Sequence, residues 1–352
     1  MAYEVDYIPV GSGEKSGDAI ILRFGNLTGT RDEQYIVVID GGFNDSGEQI
    51  VRHITEYYST DYVDLVISTH PDIDHISGLL IVLEKLKVGA LLMHKPWEHS
   101  QEIKNFFKDK RITSSGLKEK LEKSIQNAND LEELANGKGI AIIEPFQGAT
   151  GYDGIFHVLG PSREYYESQI PLFRSTPAPI ETLSQLFAPI QRIAEDAINW
   201  LEDNTGMDLI NNDEDTTSPE NSTSTIVLFN IDGHKLLFTG DSGKTALSFA
   251  ADYADTQGIS LTDLQFLDVP HHGSKRNLSS KVLSRIKAGT AFISASGDNP
   301  KHPAKKITNA LKKQGTKVFV NRKSTLHHHH EAPDRIGWIP AVEEPFHDRV
   351  EE

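Results

Sequence analysis

Within six consecutive positions this chain places four side chains that ligate divalent cations. They are His70, Asp72, Asp74 and His75, in the segment Ser-Thr-His-Pro-Asp-Ile-Asp-His-Ile-Ser-Gly at 68–78. The β-branched and apolar run at 63–67 precedes it and reads as a strand. Alternate residues of an extended chain point the same way, so His70, Asp72 and Asp74 can converge, and His75 turns in as the chain bends. Neutral imidazole and carboxylate suit Zn, Mn or Fe. Four ligands are more than one ion needs from a single segment, which points to two ions. A fold carrying this turn must bring a distant carboxylate and a distant histidine to it, and no other feature constrains the chain as much. The plainer reading, a polar turn with Asp74 as N-cap of a helix at Ile76, accounts for one of these residues and not for four together.

The composition narrows the classes. With 352 residues, 38% apolar and 24% charged, the chain has the make-up of a globular protein of one large domain or two small ones. A net charge of −16 argues against an extended non-specific grip on nucleic acid. It leaves nucleotide and phosphodiester substrates open, because a bound metal inverts the local charge of a site. No run of 18 apolar residues predicts a membrane span, and the N-terminal residues show no basic region followed by an apolar core, so no secretory signal is expected. The sequence has no Cys, which removes thiolate ligands, disulfides and a Cys nucleophile together. Cytoplasm is the default compartment on this reading.

Residues 5–10, 18–24 and 35–39 read as short strands separated by Gly-rich or polar turns. Residues 49–58 and 79–86 read as helices. Leucines and isoleucines recur at helical spacing over 117–134 and again over 180–201, with Thr176-Pro177 and Gly206 as start and stop signals of the second run. Short strands are expected at 140–143 and 155–159, and the polar, acidic stretch 211–225 reads as a flexible loop. Residues 95–223 are thus expected to form a largely helical insertion in a single domain spanning 1–352. Strands return at 225–231, 235–239 and 264–269, and helix and strand then alternate to about 320. This order predicts an α/β chain of two packed sheets with helices outside.

Later strands end in metal-competent residues. Leu-Leu-Phe-Thr-Gly-Asp at 236–241 closes a strand on Asp241, placed to bridge two ions. Leu-Asp-Val-Pro-His-His-Gly-Ser at 267–274 runs into His271 and His272, of which one can ligate metal and the other touch a bound phosphate or water. Asp40, before Gly41-Gly42, is a turn Asp or a group that orients a ligand histidine. His302, in Asn-Pro-Lys-His-Pro at 299–303, is a candidate proton donor or phosphate contact. The four histidines at 327–330 are left outside the site.

At these residues the chain resembles the metallo-β-lactamase superfamily, whose hallmark is His-x-His-x-Asp-His after a strand. Within it, the chain is most similar to the hydrolase domain of the ComEC competence (DNA-uptake) family, in a stand-alone form. The matching segments are Val-Asp-Tyr-Ile-Pro-Val-Gly at 5–11 with Gly-Asp-Ala-Ile at 17–20, His-Pro-Asp-Ile-Asp-His at 70–75, Phe-Thr-Gly-Asp at 238–241, Val-Pro-His-His-Gly-Ser at 269–274, and Asn299 with His302-Pro303. The resemblance covers about 3–95 and 223–325. It implies an αββα sandwich with two divalent ions, Zn or Mn, at one edge. Carried over, His70 and Asp72 hold the first ion, Asp74, His75 and His272 the second, and Asp241 bridges. Asp72 replaces the usual second histidine. The histidine of the superfamily's third motif has no counterpart in the region of 221–224, which leaves the first position rich in oxygen.

The expected activity is hydrolysis of a phosphodiester (nucleotide, nucleic acid or phospho-headgroup) by a metal-activated water, with Asp74, His271 and His302 as catalytic groups. Ser274, Lys275 and Arg276 add anion contacts. The expected partner is a phosphate-containing substrate, small molecule or nucleic acid, and not a membrane. A carboxylic ester, thioester or lactone hydrolase is the second reading, and a non-catalytic metal-binding interaction protein the third.

Overall fold

Alternation along the strands sorts side chains between two kinds of core. In strand β2 (Ala19–Gly25), Ile20, Leu22 and Phe24 face one core, and Ala19 and Ile21 another; in β3 (Gln34–Gly41), Val37 and Ile39 separate from Ile36 and Val38 in the same way. Strands buried on both faces need a partner layer on each side. A computed structural model shows those layers and describes residues 1–174, 176–180, 200–203, 210–297 and 299–351.

The first sheet has the order β15 (Leu326–His330), β1 (Ala2–Tyr7), β2, β3, β4 (Tyr62–Ile67), β5 (Lys87–Leu92), β6 (Ala141–Ile143). The second runs β14 (Lys317–Asn321), β13 (Ala288–Ser294), β12 (Leu264–Asp268), β11 (His234–Phe238), β10 (Ile226–Ile231), β8 (Phe156–Gly160), β7 (Thr150–Gly151). The sheets share an inner core rich in aromatics, including Tyr7, Phe24, Phe229, Phe238, Phe266 and Phe292. Helices Asn44–Tyr57 and Ile73–Lys85 cover the outer face of the first sheet, and Lys244–Thr256, Ser280–Arg285 and Lys305–Lys313 that of the second. This is the αββα sandwich expected from the sequence. A small third sheet pairs β9 (Trp200–Glu202) with β16 (Arg349–Glu351).

Helix Ile73–Lys85 begins six residues before the expected start at 79, with Asp72 at its N-cap position. It packs so closely on the turn after β3 that a Cβ on Gly78 would lie 1.9 Å from the carbonyl oxygen of Gly41. Within 95–223 the described helices Ser114–Ser124 and Gln126–Gly137 are joined by strands that extend both sheets, β6 at one edge and β7 and β8 at the other. Of the expected helix at 180–201, residues 181–199 lie outside the described residues, as does Gly206, while Leu201 sits in β9. The stretch read as a flexible loop differs most. Residues 217 and 219–225 are buried, a short helix forms at Pro219–Ser222, and Thr225 N–H donates to the Thr69 carbonyl at 2.9 Å. Polar composition does not exclude burial when the polar groups find partners.

The histidines at 327–330 form β15, antiparallel to β1. Period-two alternation splits them: His327 and His329 stack on one face, and His328 and His330 pack against Tyr3 on the other. Among the described residues no helix is long and apolar enough to cross a membrane.

Candidate metal centre

Parallel strands deliver their C-terminal ends to one edge of a sandwich, where the loops that follow are free to carry function. Strands β3 and β4 are parallel, as are β11 and β12. Asp40 lies at the end of β3, and His70 and His75 follow β4. Asp241 follows β11, and His271 and His272 follow β12. Asp18, immediately before β2, joins them. The turns are tight. Asp40, His271 and His272 have φ of 53°, 51° and 55°, the left-handed region that side chains with a Cβ seldom adopt and that clusters at functional sites. Gly240 also has positive φ, and a Cβ there would lie 2.8 Å from Thr69 Oγ1, so the β11 turn closes on the β4 turn only with glycine.

Asp241 is the hub. His75 Nε2 lies 3.5 Å and His272 Nε2 3.8 Å from its Oδ1; His271 Nε2 lies 3.6 Å and His70 Nε2 3.8 Å from its Oδ2. Asp18 approaches His272 Nδ1 at 3.6 Å and His75 Nδ1 at 3.8 Å. Ligand atoms of Asp18, His75, Asp241 and His272 all fall within 4.8 Å of one another, as do those of Asp40, His70 and His75. Each separation within the hub is too long for a hydrogen bond. The Nε2 atoms of His70, His75 and His272, and Oδ1 of Asp241, are buried without a hydrogen-bond partner. Buried polar atoms are normally satisfied, so four converging exceptions of ligand chemistry fit a divalent cation well.

The groups around the hub fix its rings. Asp40 Oδ2 lies 2.8 Å from His75 Nδ1 and accepts from Thr69 Oγ1 at 2.6 Å, while Oδ1 accepts from Thr69 N–H. A carboxylate behind a ligating imidazole sets its tautomer and orientation. Thr69 Oγ1 contacts His70 Nδ1 at 3.0 Å, and Asn277 Oδ1 contacts His271 Nδ1 at 3.0 Å. Asn277 also donates to the carbonyls of Asp241 and Ser242.

Crowded charge shifts the hub's titration. Burial lifts the Asp241 carboxyl to about 7 despite the attraction of His75 and His272. Burial pulls His272 down, but Asp241 and Asp18 more than offset it and hold the ring at about 9. His75 is raised as well, burial being outweighed by Asp241 and Asp40. Burial and the neighbouring rings push His70 and His271 well below the ordinary value, and His302 to about 3.

Of the residues singled out in sequence, His70, His75, Asp241, His271 and His272 come together, and Asp40 stands behind His75. His302 stacks on His271 at 5.8 Å. Asp74 is half-buried and lines a cavity of about 400 Å³ with His271, His272 and His302; it stands outside the ligand groups. Both oxygens of Asp72 accept from Arg174 Nη2, at 3.1 and 3.0 Å, and it is in neither ligand group. Asp18 carried no assigned role. Its signal was a charged residue directly before the wholly apolar run Ala-Ile-Ile-Leu. Asn221, in the region where the third-motif histidine has no counterpart, donates its amide to Asp241 Oδ2 at 2.9 Å.

Residues 23–297 match the model of the metallo-beta-lactamase superfamily. Similar solved structures include a metal-dependent hydrolase of the beta-lactamase superfamily (11% identity, 92% of this chain and 98% of that one, TM-score 0.45). A diphosphatase from the PhnP family is similar at 10% identity over 94% and 98% of the two chains, with TM-score 0.40. An archaeal metallo-beta-lactamase superfamily protein from Sulfolobus tokodaii is similar at 16% over 80% and 83%, with TM-score 0.32. No curated protein matches the chain. The family match spans most of the sequence and includes the β3, β4, β11 and β12 turns: the chain belongs to the metallo-beta-lactamase superfamily of metal-dependent hydrolases.

Proposed function

We propose that the protein is a phosphodiesterase of ComEC-like type that works with divalent metal, Mn or Zn. The observation that carries this reading is the convergence of unpartnered imidazole nitrogens on the Asp241 carboxylate. Asp18, His75, Asp241 and His272 would hold one ion. His70, with Asp241 Oδ2 between them, would hold a second. Bound there, divalent metal lowers the pKa of water and polarises a phosphoryl or carbonyl oxygen.

The chain's own groups supply the rest. Asp40 orients His75 through Nδ1, and Asp241 spans both positions. His271 and His302 face the cavity beside the hub as low-pKa, neutral imidazoles, suited to contact a phosphoryl oxygen through a ring N–H. Asp74 lines the same cavity, within reach of water entering it. Glu14 and Lys15 line it as well. We read 1–352 as one unit and 95–223 as an insertion that shapes the mouth of the site through Arg174 and the 219–222 turn.

A second reading, hydrolysis of a carboxylic ester, thioester or lactone, draws on one observation. A cavity of about 790 Å³ that includes His271 has one wall of Pro171, Leu172, Phe173, Pro179 and Pro219 beside the polar Asp72, Arg174, Glu220 and Asn221, and that wall suits an acyl group. Metal-loaded protein assayed on bis-p-nitrophenyl phosphate and on p-nitrophenyl acetate separates the two. Faster turnover of the diester supports the proposal, and turnover of the acetate alone replaces it with the second reading. Asp74→Ala that folds normally and retains full turnover removes Asp74 from the catalytic set.

A further inference from the structure

Asp241 divides the centre into unequal halves. Around Oδ1, ligand atoms of Asp18, His75 and His272 meet, and no hydrogen-bond donor claims Oδ1, His75 Nε2 or either ring nitrogen of His272. Around Oδ2, His70 Nε2 is likewise unclaimed, but the neighbouring oxygens are taken. Asn221 Nδ2 donates to Oδ2 itself at 2.9 Å. Asp72, two residues from His70, gives both carboxylate oxygens to Arg174 Nη2. Arg174 is in turn anchored by Glu220, whose Oε1 accepts from its backbone N–H at 2.7 Å and from its Nε at 3.2 Å. Glu220 is buried and adjoins Asn221 in the Pro219–Ser222 helix. Asp72, Arg174, Glu220, Asn221 and His271 line one cavity.

We infer that Arg174 gates the second metal position: one divalent ion binds tightly on the Oδ1 side, and another binds beside His70 only when Asp72 leaves the guanidinium. The inference rests on the metal-hydrolase reading above. Asp72 cannot give the same two oxygens to Arg174 and to a cation, and a dication entering there also meets the repulsion of the fixed guanidinium charge. The Arg174 side chain is 66% exposed, so its hold on Asp72 is modest, as a gate that opens requires.

The test is Mn²⁺ titration of the metal-stripped full chain, with free ion followed by electron paramagnetic resonance. Wild type takes up one tight equivalent and a distinctly weaker second. R174A narrows that gap by roughly three- to tenfold, through lost competition and lost repulsion. The double variant R174A/D72N restores the wide gap, because the released ligand is gone. If R174A melts below the assay temperature, E220Q loosens the anchor and gives the same narrowing. Two equally tight equivalents in wild type, an unchanged gap in R174A, or a double variant that behaves as R174A overturns the gate and leaves the metal centre standing. Absence of any tight equivalent in wild type overturns the metal centre and the gate with it.

Discussion

Glu4, Asp6 and His327 present ligand atoms within 4.8 Å of one another, as do Asp18, His75, Asp241 and His272. The residue types are alike, yet the two regions are in opposite states. In the first, Arg23 Nε lies 2.6 Å from Glu4 Oε1, and Arg335 Nη2 lies 2.8 Å from Glu4 Oε2. Arg335 also grips both oxygens of Asp6 at 2.7 Å, and His53 and Tyr58 add to Asp6 Oδ2. Two guanidiniums balance two carboxylates, and Asp6 is held well below the ordinary carboxylate range: burial would raise it, but its bonds to His53 and Arg335 prevail. In the second, no Arg or Lys reaches the hub within ion-pair distance among the described residues. The imidazoles stop 3.5–3.8 Å short of Asp241, and Asp241 is raised. One cluster has its cations built in as Arg side chains, and the other has a donor set that could hold a metal ion.

This contrast predicts variants with opposite effects. The largest concerns turnover. Asp241→Asn lowers kcat/KM on a diester by roughly a thousandfold or more, about 4 kcal/mol of transition-state stabilisation. Asp6→Asn leaves turnover per folded molecule near wild type, as active-site-normalised kinetics would register. Next comes stability. Arg335→Ala leaves two buried acids with a single guanidinium, Arg23, and costs about 3–5 kcal/mol, read from denaturant unfolding. Asp241→Asn in metal-free protein is neutral or stabilising, because burial raises the Asp241 carboxyl to about 7 and so disfavours its ionised form in the folded chain. Equal losses in both variants would erase the distinction between the clusters.

Chelation sharpens the comparison at smaller scale. An ion present at a hundred times its Kd stabilises by about 2.7 kcal/mol. Chelator therefore lowers the melting temperature of wild type and of Asp6→Asn alike, and leaves Asp241→Asn unmoved. A further effect belongs to His94, a half-buried histidine outside both clusters whose ring nitrogens are buried. It stacks on Tyr166 with both ring nitrogens unpartnered, and burial depresses it to about 3. The unfolded chain takes up this proton near pH 6.5 and the folded chain only near 3. Stability is therefore lost as pH falls through that window. His94→Phe flattens the slope of unfolding free energy against pH between 6.5 and 4, and a slope equal to wild type contradicts the assignment.

Much of the architecture was legible because it rests on local signals. Period-two apolar runs mark the strands, and Gly-Asp and His-His after such runs mark turns that parallel strands gather at one edge. That is how His70, His75, Asp241 and His272 stand out. What was not legible depends on long-range pairing. Asp72 has the spacing of a ligand, but Arg174, 102 residues away, turns it aside. Asp18 gives one carboxylate at a strand start, and the apolar run after it marks the strand rather than a ligand. The stretch at 211–225 looks solvated by composition, yet it is buried near its end because Asn221 and Ser224 have partners at Asp241. The histidines at 327–330 look foreign to a fold, yet pair along the whole of β15 with β1.

Anomalous diffraction from crystals soaked in Mn²⁺ tests the central claim most directly. The account predicts a peak at ligand distance, about 2.0–2.3 Å, from His75 Nε2, His272 Nε2 and Asp241 Oδ1, and none at Glu4, Asp6 and His327. A peak at Glu4, Asp6 and His327, or an empty hub in crystals that bind the ion elsewhere, would contradict it.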